Sequence, residues 1–340
     1  MNLAKTIRTA LFSLITISVA AMSSGCDRLH EHLPECEHGL RLRFTYTWNM
    51  EFANAFPSQV DCLTLYIYDD NNRLVTTRTE TADVLADENY RMDIELPDGE
   101  YTLVAYGGMA CDNSSFHHTA TPTEGSLLTS LETGLNSRLL TRPVGTQLHN
   151  LFYGKKEVAV TSAVNQYVEE TIDMMRDTNN LRIMLQHVDG APIDDADFNF
   201  YLSDNNTLMA WDNALLPSEE VTYYPWTRGT LKVGQSPYEE LPDDVTMAYA
   251  EFSFSRLVTG NHPNLLITTA DGTSNVVDLP LLNYLIASKS EQYKEMPAQE
   301  YLDRQHDWNM TFFLDSHLRW IYVEIKVLDW VVRINNIDLQ

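Results

Sequence analysis

The stretch Leu40-Arg41-Leu42-Arg43-Phe44-Thr45-Tyr46-Thr47-Trp48 decides the fold. Its apolar side chains fall at every second position, and arginine or threonine fills the places between. A two-residue period describes a strand with one face buried and the other wet. Downstream, a polar and aromatic loop over 49–58 leads to Cys62–Tyr68, which alternates again with Leu63, Leu65 and Ile67 on one face. Asp69-Asp70-Asn71-Asn72 is a turn, and Leu74–Thr79 returns as its hairpin partner. That cluster lacks the ligand spacing of a calcium loop. Met92, Ile94 and Leu96 mark a fourth strand. Pro97-Asp98-Gly99 turns the chain into a fifth, Glu100–Tyr106. Five strands joined by short turns, without helical periodicity, predict a β-sandwich.

The second half follows the same style. Leu181–His187, Phe198–Leu202, Tyr249–Leu257, Asn264–Thr269 and Asn275–Leu279 read as strands. Leu281, Leu282, Leu285 and Ile286 have helical spacing, and Pro297 opens a short helix over Ala298–Gln305. The chain closes in strands at Trp308–Leu314, Arg319–Val327 and Trp330–Ile334. The fold class is therefore all-β: two tandem sandwich domains, expected over 39–160 and 161–340, with a short helical insertion in the second. Residues 108–137 read as a long irregular loop, of the kind that often carries a binding surface.

Upstream of the first strand, Lys5 and Arg8 precede an apolar run from Ala10 to Met22, and Ser23-Ser24-Gly25-Cys26 follows. A basic head with an apolar run is an export signal. Gly25-Cys26 at its end resembles a bacterial lipobox, although Ser23 stands where leucine is usual. Residues 1–25 are read as a lipoprotein signal, Cys26 as the lipidated first residue, and 26–38 as a polar spacer. The run is too short and too broken for a spanning helix, which needs about 20 apolar residues. Histidines 30, 32 and 38 read as surface residues, with nothing to fix a metal geometry.

The 340 residues carry a net charge of −25, and the leader holds two of the basic residues and none of the acidic ones. So acidic a chain is unsuited to nucleic acid or to a polybasic membrane contact. Cys36, Cys62 and Cys111 allow one disulfide and a spare thiol in an oxidising compartment, or three buried thiols, with the pairing open. No phosphate-cradling glycine loop, nucleophile elbow or zinc-protease motif is present. No cofactor and no metal site is expected. Two functional readings besides a structural one stay open: a glycan-binding surface lipoprotein, with Trp48, Trp211 and Trp226 gathered in one groove, and a hydrolase with two carboxylates in a pocket.

Four strings together resemble the FimB-type fimbrial anchor family of the Bacteroidales: PECEHGLRLRFTYTWNMEFANAFPSQVDCLTLYIYD (34–69), LPDGEYTLVAYGG (96–108), QEYLDRQHDWNMTFFLD (299–315) and DWVVRINNIDL (329–339). The resemblance spans nearly the whole mature chain. It implies transthyretin-like sandwiches, no enzymatic activity, and a surface fimbria of the donor-strand type held at the outer membrane by a lipidated subunit. The partner it implies is the fimbrial shaft pilin. In the last segment Trp330, Val332 and Ile334 alternate with Val331, Arg333 and Asn335. That apolar face either fills a pilin groove or closes the second sandwich, and the alternation alone fits both.

Overall fold

The computed structural model describes residues 38–140, 145–161, 167–234 and 245–336. The opening alternation is strand β1 (Gly39–Thr45), with Leu40, Leu42 and Phe44 buried and Arg43 exposed. It lies antiparallel to β4 (Met92–Glu95) and parallel to β9 (Tyr167–Asp173). A one-turn helix α1 (Phe56–Gln59) follows β1 and buries Phe56. Facing this sheet is a five-stranded one: β10 (Met175–Arg176), β8 (Phe152–Val160), β5 (Gly99–Gly107), β2 (Cys62–Tyr68) and β3 (Leu74–Thr81), in that order. Leu63, Leu65, Ile67, Leu103 and Phe152 meet Leu40, Leu42 and Phe44 in the first core. Burial of each such side chain is worth about 1.5–3 kcal/mol.

The sequence reading closes the first domain at residue 160. Strand pairing carries this unit further, because β9 runs beside β1 from Gly39↔Tyr167 to Thr45↔Asp173. A parallel partner so distant in sequence leaves no local periodic signal, and in β9 only Ile172 is buried.

The second sandwich packs a six-stranded sheet on a four-stranded one. The larger sheet runs β15 (Thr227–Gly234), β16 (Val245–Ser255), β11 (Thr178–His187), β19 (Asp307–Leu314), β20 (Trp320–Val327) and β21 (Trp330–Asn335). The smaller runs β14 (Val221–Tyr223), β12 (Phe198–Asp204), β17 (Asn264–Thr269) and β18 (Asn275–Pro280). The helical insertion is present as α2 (Leu281–Ala287) and α3 (Ala298–Arg304). It buries Leu281, Leu282, Leu285, Tyr301 and Leu302 against the sandwich.

The segment 108–137 is not a free loop. Strands β6 (Phe116–His118) and β7 (Thr133–Leu135) pair with each other, and β13 (Leu208–Met209) from the second half completes a third strand on β7. Phe116, Leu128, Leu131 and Leu135 are buried here. They cover the outer face of the five-stranded sheet, where Tyr66, Tyr68, Tyr106 and Tyr153 join the core of the second sandwich. All seven residues of β2 are buried as a result. The apolar positions in 108–137 follow no period, since their partners belong to three different elements. Gly108 begins the segment at φ 83°, and a Cβ there would sit 1.8 Å from the Asn150 carbonyl oxygen. Of the cysteines, Cys62 and Cys111 form a disulfide, which ties the same segment to the start of β2. Cys36 lies outside the described residues.

Candidate functional site

Strand β21 pairs antiparallel with β20, from Tyr322↔Asn335 to Val327↔Trp330, and is an edge of the six-stranded sheet. The alternation in its sequence is used by its own fold. Ile334 is 6% exposed, and Trp330 and Val332 pack half-buried against the core, while Val331 is 54% exposed. The Trp330 indole N–H donates to the Ser288 carbonyl at 2.9 Å, and its ring leans on Tyr293. Arg333 lies over the Tyr322 ring and bonds to Glu324. The structure thus places Trp330, Val332 and Ile334 together on one inward face of the closing strand.

The backbone of β21 divides the same way. The Asn336 amide donates to Ile321 O, inside the sheet. Amides alternate along a strand, so those of Trp330, Val332 and Ile334 also point toward β20. The amides of Val331 and Arg333 therefore point away from it, along what is an edge of the sheet among the described residues. The hairpin turn into β21 holds Leu328 at φ 49°, a region that costs a side-chain-bearing residue roughly 1–2 kcal/mol. Beyond the strand, a hollow of about 430 Å³ opens between β18 and the end of β20, lined by Val276, Leu279, Tyr284, Trp320 and Asn336.

The three tryptophans do not share a groove. Trp48 lies 3.8 Å under the Arg304 guanidinium, where α3 meets the first sandwich. Trp211 lies under Lys155, and Trp226 stands at the corner between β14 and β15. A carboxylate pair does exist, but it is buried. Arg256 contacts Asp177 at 3.7 Å and Asp303 at 3.0 Å, and Asn213 donates to Asp177. Asp177 has no exposed surface, and burial pushes its carboxyl up to about 7 despite Arg256. Burial also raises the Asp303 carboxyl. Neighbouring His306 is buried with both ring nitrogens unpartnered, and burial holds it well below the usual histidine range. These groups are largely buried, with Arg256 13% and Asp303 10% exposed at the side chain, and they join the linker before β11 to the end of α3. Sequence reading missed the cluster, because the three charges come from separate elements with no shared spacing.

Among the described residues, the cluster of metal-ligating types is Asp61, Cys62 and Cys111, whose sulfurs are spent in the disulfide. No helix among the described residues is long and apolar enough to cross a membrane. Cys26 lies outside them.

The sequence profile of the fimbrillin-A associated anchor proteins Mfa1 and Mfa2 matches residues 33–336. The chain belongs to that family. The family consists of structural fimbrial proteins rather than enzymes, and its members are associated with cell-surface fimbriae. No curated protein matches the sequence. Among solved structures, an adhesin candidate from Bacteroides thetaiotaomicron is 46% identical, with TM-score 0.81 over 89% of this chain and 100% of that one. A second protein of that organism, described as a candidate polysaccharide-binding protein, is 30% identical, with TM-score 0.74 over 89% of this chain and 99% of that one. The fimbrial anchor protein Mfa2 from Porphyromonas gingivalis shares the fold, with TM-score 0.63 at 16% identity over 87% of this chain and 99% of that one. The all-β sandwich architecture of the family is therefore the architecture of this chain.

Proposed function

We propose that this protein is the anchor subunit of a surface fimbria, held to the outer membrane by acylated Cys26 and joined to the shaft pilin through β21. Family membership carries the reading. The arrangement of the chain fits it: the proposed lipid site precedes the first strand, and β21 is one of the edge strands among the described residues. Two or more acyl chains hold a protein durably, where one binds marginally.

The geometry favours one form of the joint. Donating β21 outright would remove Trp330, Val332 and Ile334 from their own core. A pilin strand that adds to the outward amides of Val331 and Arg333 leaves the pairing of β21 with β20 in place. Val331→Pro tests this. Proline is tolerated on an edge strand where its missing N–H faces solvent, so the fold should survive. The variant should bind purified pilin on the order of tenfold more weakly, with its unfolding midpoint within a few degrees of wild type. Unchanged pilin binding would remove the edge of β21 from the joint.

A glycan-binding surface lipoprotein is the second reading. The description of the 30% identical relative favours it, and the dispersal of Trp48, Trp211 and Trp226 leaves no groove lined by all three.

A further inference from the structure

Trp226 occupies an unusual place. Strand β14 belongs to the four-stranded sheet and β15 to the six-stranded one, so the corner Tyr224-Pro225-Trp226 bridges the seam of the sandwich. Two hollows flank the indole. One, of about 320 Å³, lies over the outer face of the six-stranded sheet. Its floor is a polar row set by strand register: Glu251, Arg182 and Asn309 stand side by side on β16, β11 and β19. The other, of about 330 Å³, lies beside Tyr201 and Tyr224, whose rings meet edge to face at 5.9 Å.

The corner is fixed before any ligand arrives. The Gly145 amide donates to the Pro225 carbonyl, and the Trp226 amide donates to Glu251 O. A Cβ on Gly145 would fall 1.8 Å from the Tyr224 carbonyl oxygen, so glycine permits this close approach. Among the described residues, the indole N–H of Trp226, the hydroxyls of Tyr201 and Tyr224 and the side-chain amide of Asn309 have no hydrogen-bond partner. Free donors around half-exposed aromatic faces suit a ligand with an apolar face and a hydroxylated rim. A pyranose ring has both. Arg182 is paired with Glu251 and Arg228 with Asp195, so the site has no spare cation for an acidic group. The chain as a whole carries −25.

We propose that the groove across Trp226 binds a neutral oligosaccharide, with one sugar unit stacked on the indole and its neighbours seated in the two hollows. This does not rest on the anchor reading, and either can fail alone. The test uses the whole mature chain on an array of neutral hexose and N-acetylhexosamine oligomers of two to six units. Sulfated and uronic-acid oligomers are the anionic controls. We expect binding to neutral oligomers and quenching of tryptophan fluorescence. Loss of an aromatic anchor should weaken binding roughly tenfold or more in Trp226→Ala. Should Trp226→Ala fail to fold by circular dichroism, the surface double variant Gln147→Ala with Asn309→Ala should show the loss instead. No neutral oligomer bound at millimolar concentration, preference for the anionic controls, or full affinity in the folded variants would each overturn the proposal.

Discussion

Replacing Arg256 with alanine should destabilise the protein by about 3–5 kcal/mol, the usual cost of removing one partner from a buried ion pair. The variant would leave Asp177 and Asp303 sharing a buried site without a cation. The loss should depend on pH. Asp177 is already raised to about 7 by burial, and without Arg256 it should rise further. A carboxyl with a raised folded pKa contributes stability at low pH and loses it as pH climbs from its ordinary value near 3.8 through the folded value. The deficit of Arg256→Ala should therefore be larger at pH 8 than at pH 5.5. Urea unfolding at the two pH values measures this, and equal midpoints for variant and wild type would show that the cluster does not hold the junction together.

Deleting residues 329–340 should be comparably damaging. The strand contributes Ile334 fully and Trp330 and Val332 in part to the core. With full burial worth about 1.5–3 kcal/mol per side chain, their loss is on the order of 3–6 kcal/mol. It also bares the edge of β20, with its inward-facing Val323, Ile325 and Val327. We expect a lowered urea midpoint and faster proteolysis. A truncated protein as stable as wild type would mean that β21 is dispensable to its own domain and free to be donated. The expected damage is the reason a single proline, rather than truncation, separates folding from pilin binding.

Local alternation made much of the fold legible. It located β1, β2, β5, β17, β18 and β21 because each buries one face at least and carries its signal in adjacent residues. The helical insertion was legible from apolar spacing and from Pro297. What escaped was non-local. The parallel pairing of β9 with β1 sets the extent of the first unit, and β9 buries only Ile172. The clamp over 108–137 is read only when Leu208 and Met209 are placed beside β7. For the candidate site, the sequence identified the apolar face of β21 but not its owner. A two-residue period states that a face is buried, and is silent on whose core buries it. The outward amides of Val331 and Arg333 became visible only through the bond from Asn336 to Ile321.

The claim that this protein tethers a fimbria through its N-terminal cysteine is tested most directly in cells whose only copy carries Cys26→Ala. The measurement is the share of fimbrial material sedimenting with the cells against the share in the medium, with this protein followed in the same fractions. The account predicts that the variant appears in the medium and the fibres with it, while wild-type cells keep both. Fibres still bound to cells, with the Cys26→Ala protein still in the membrane fraction, would contradict it.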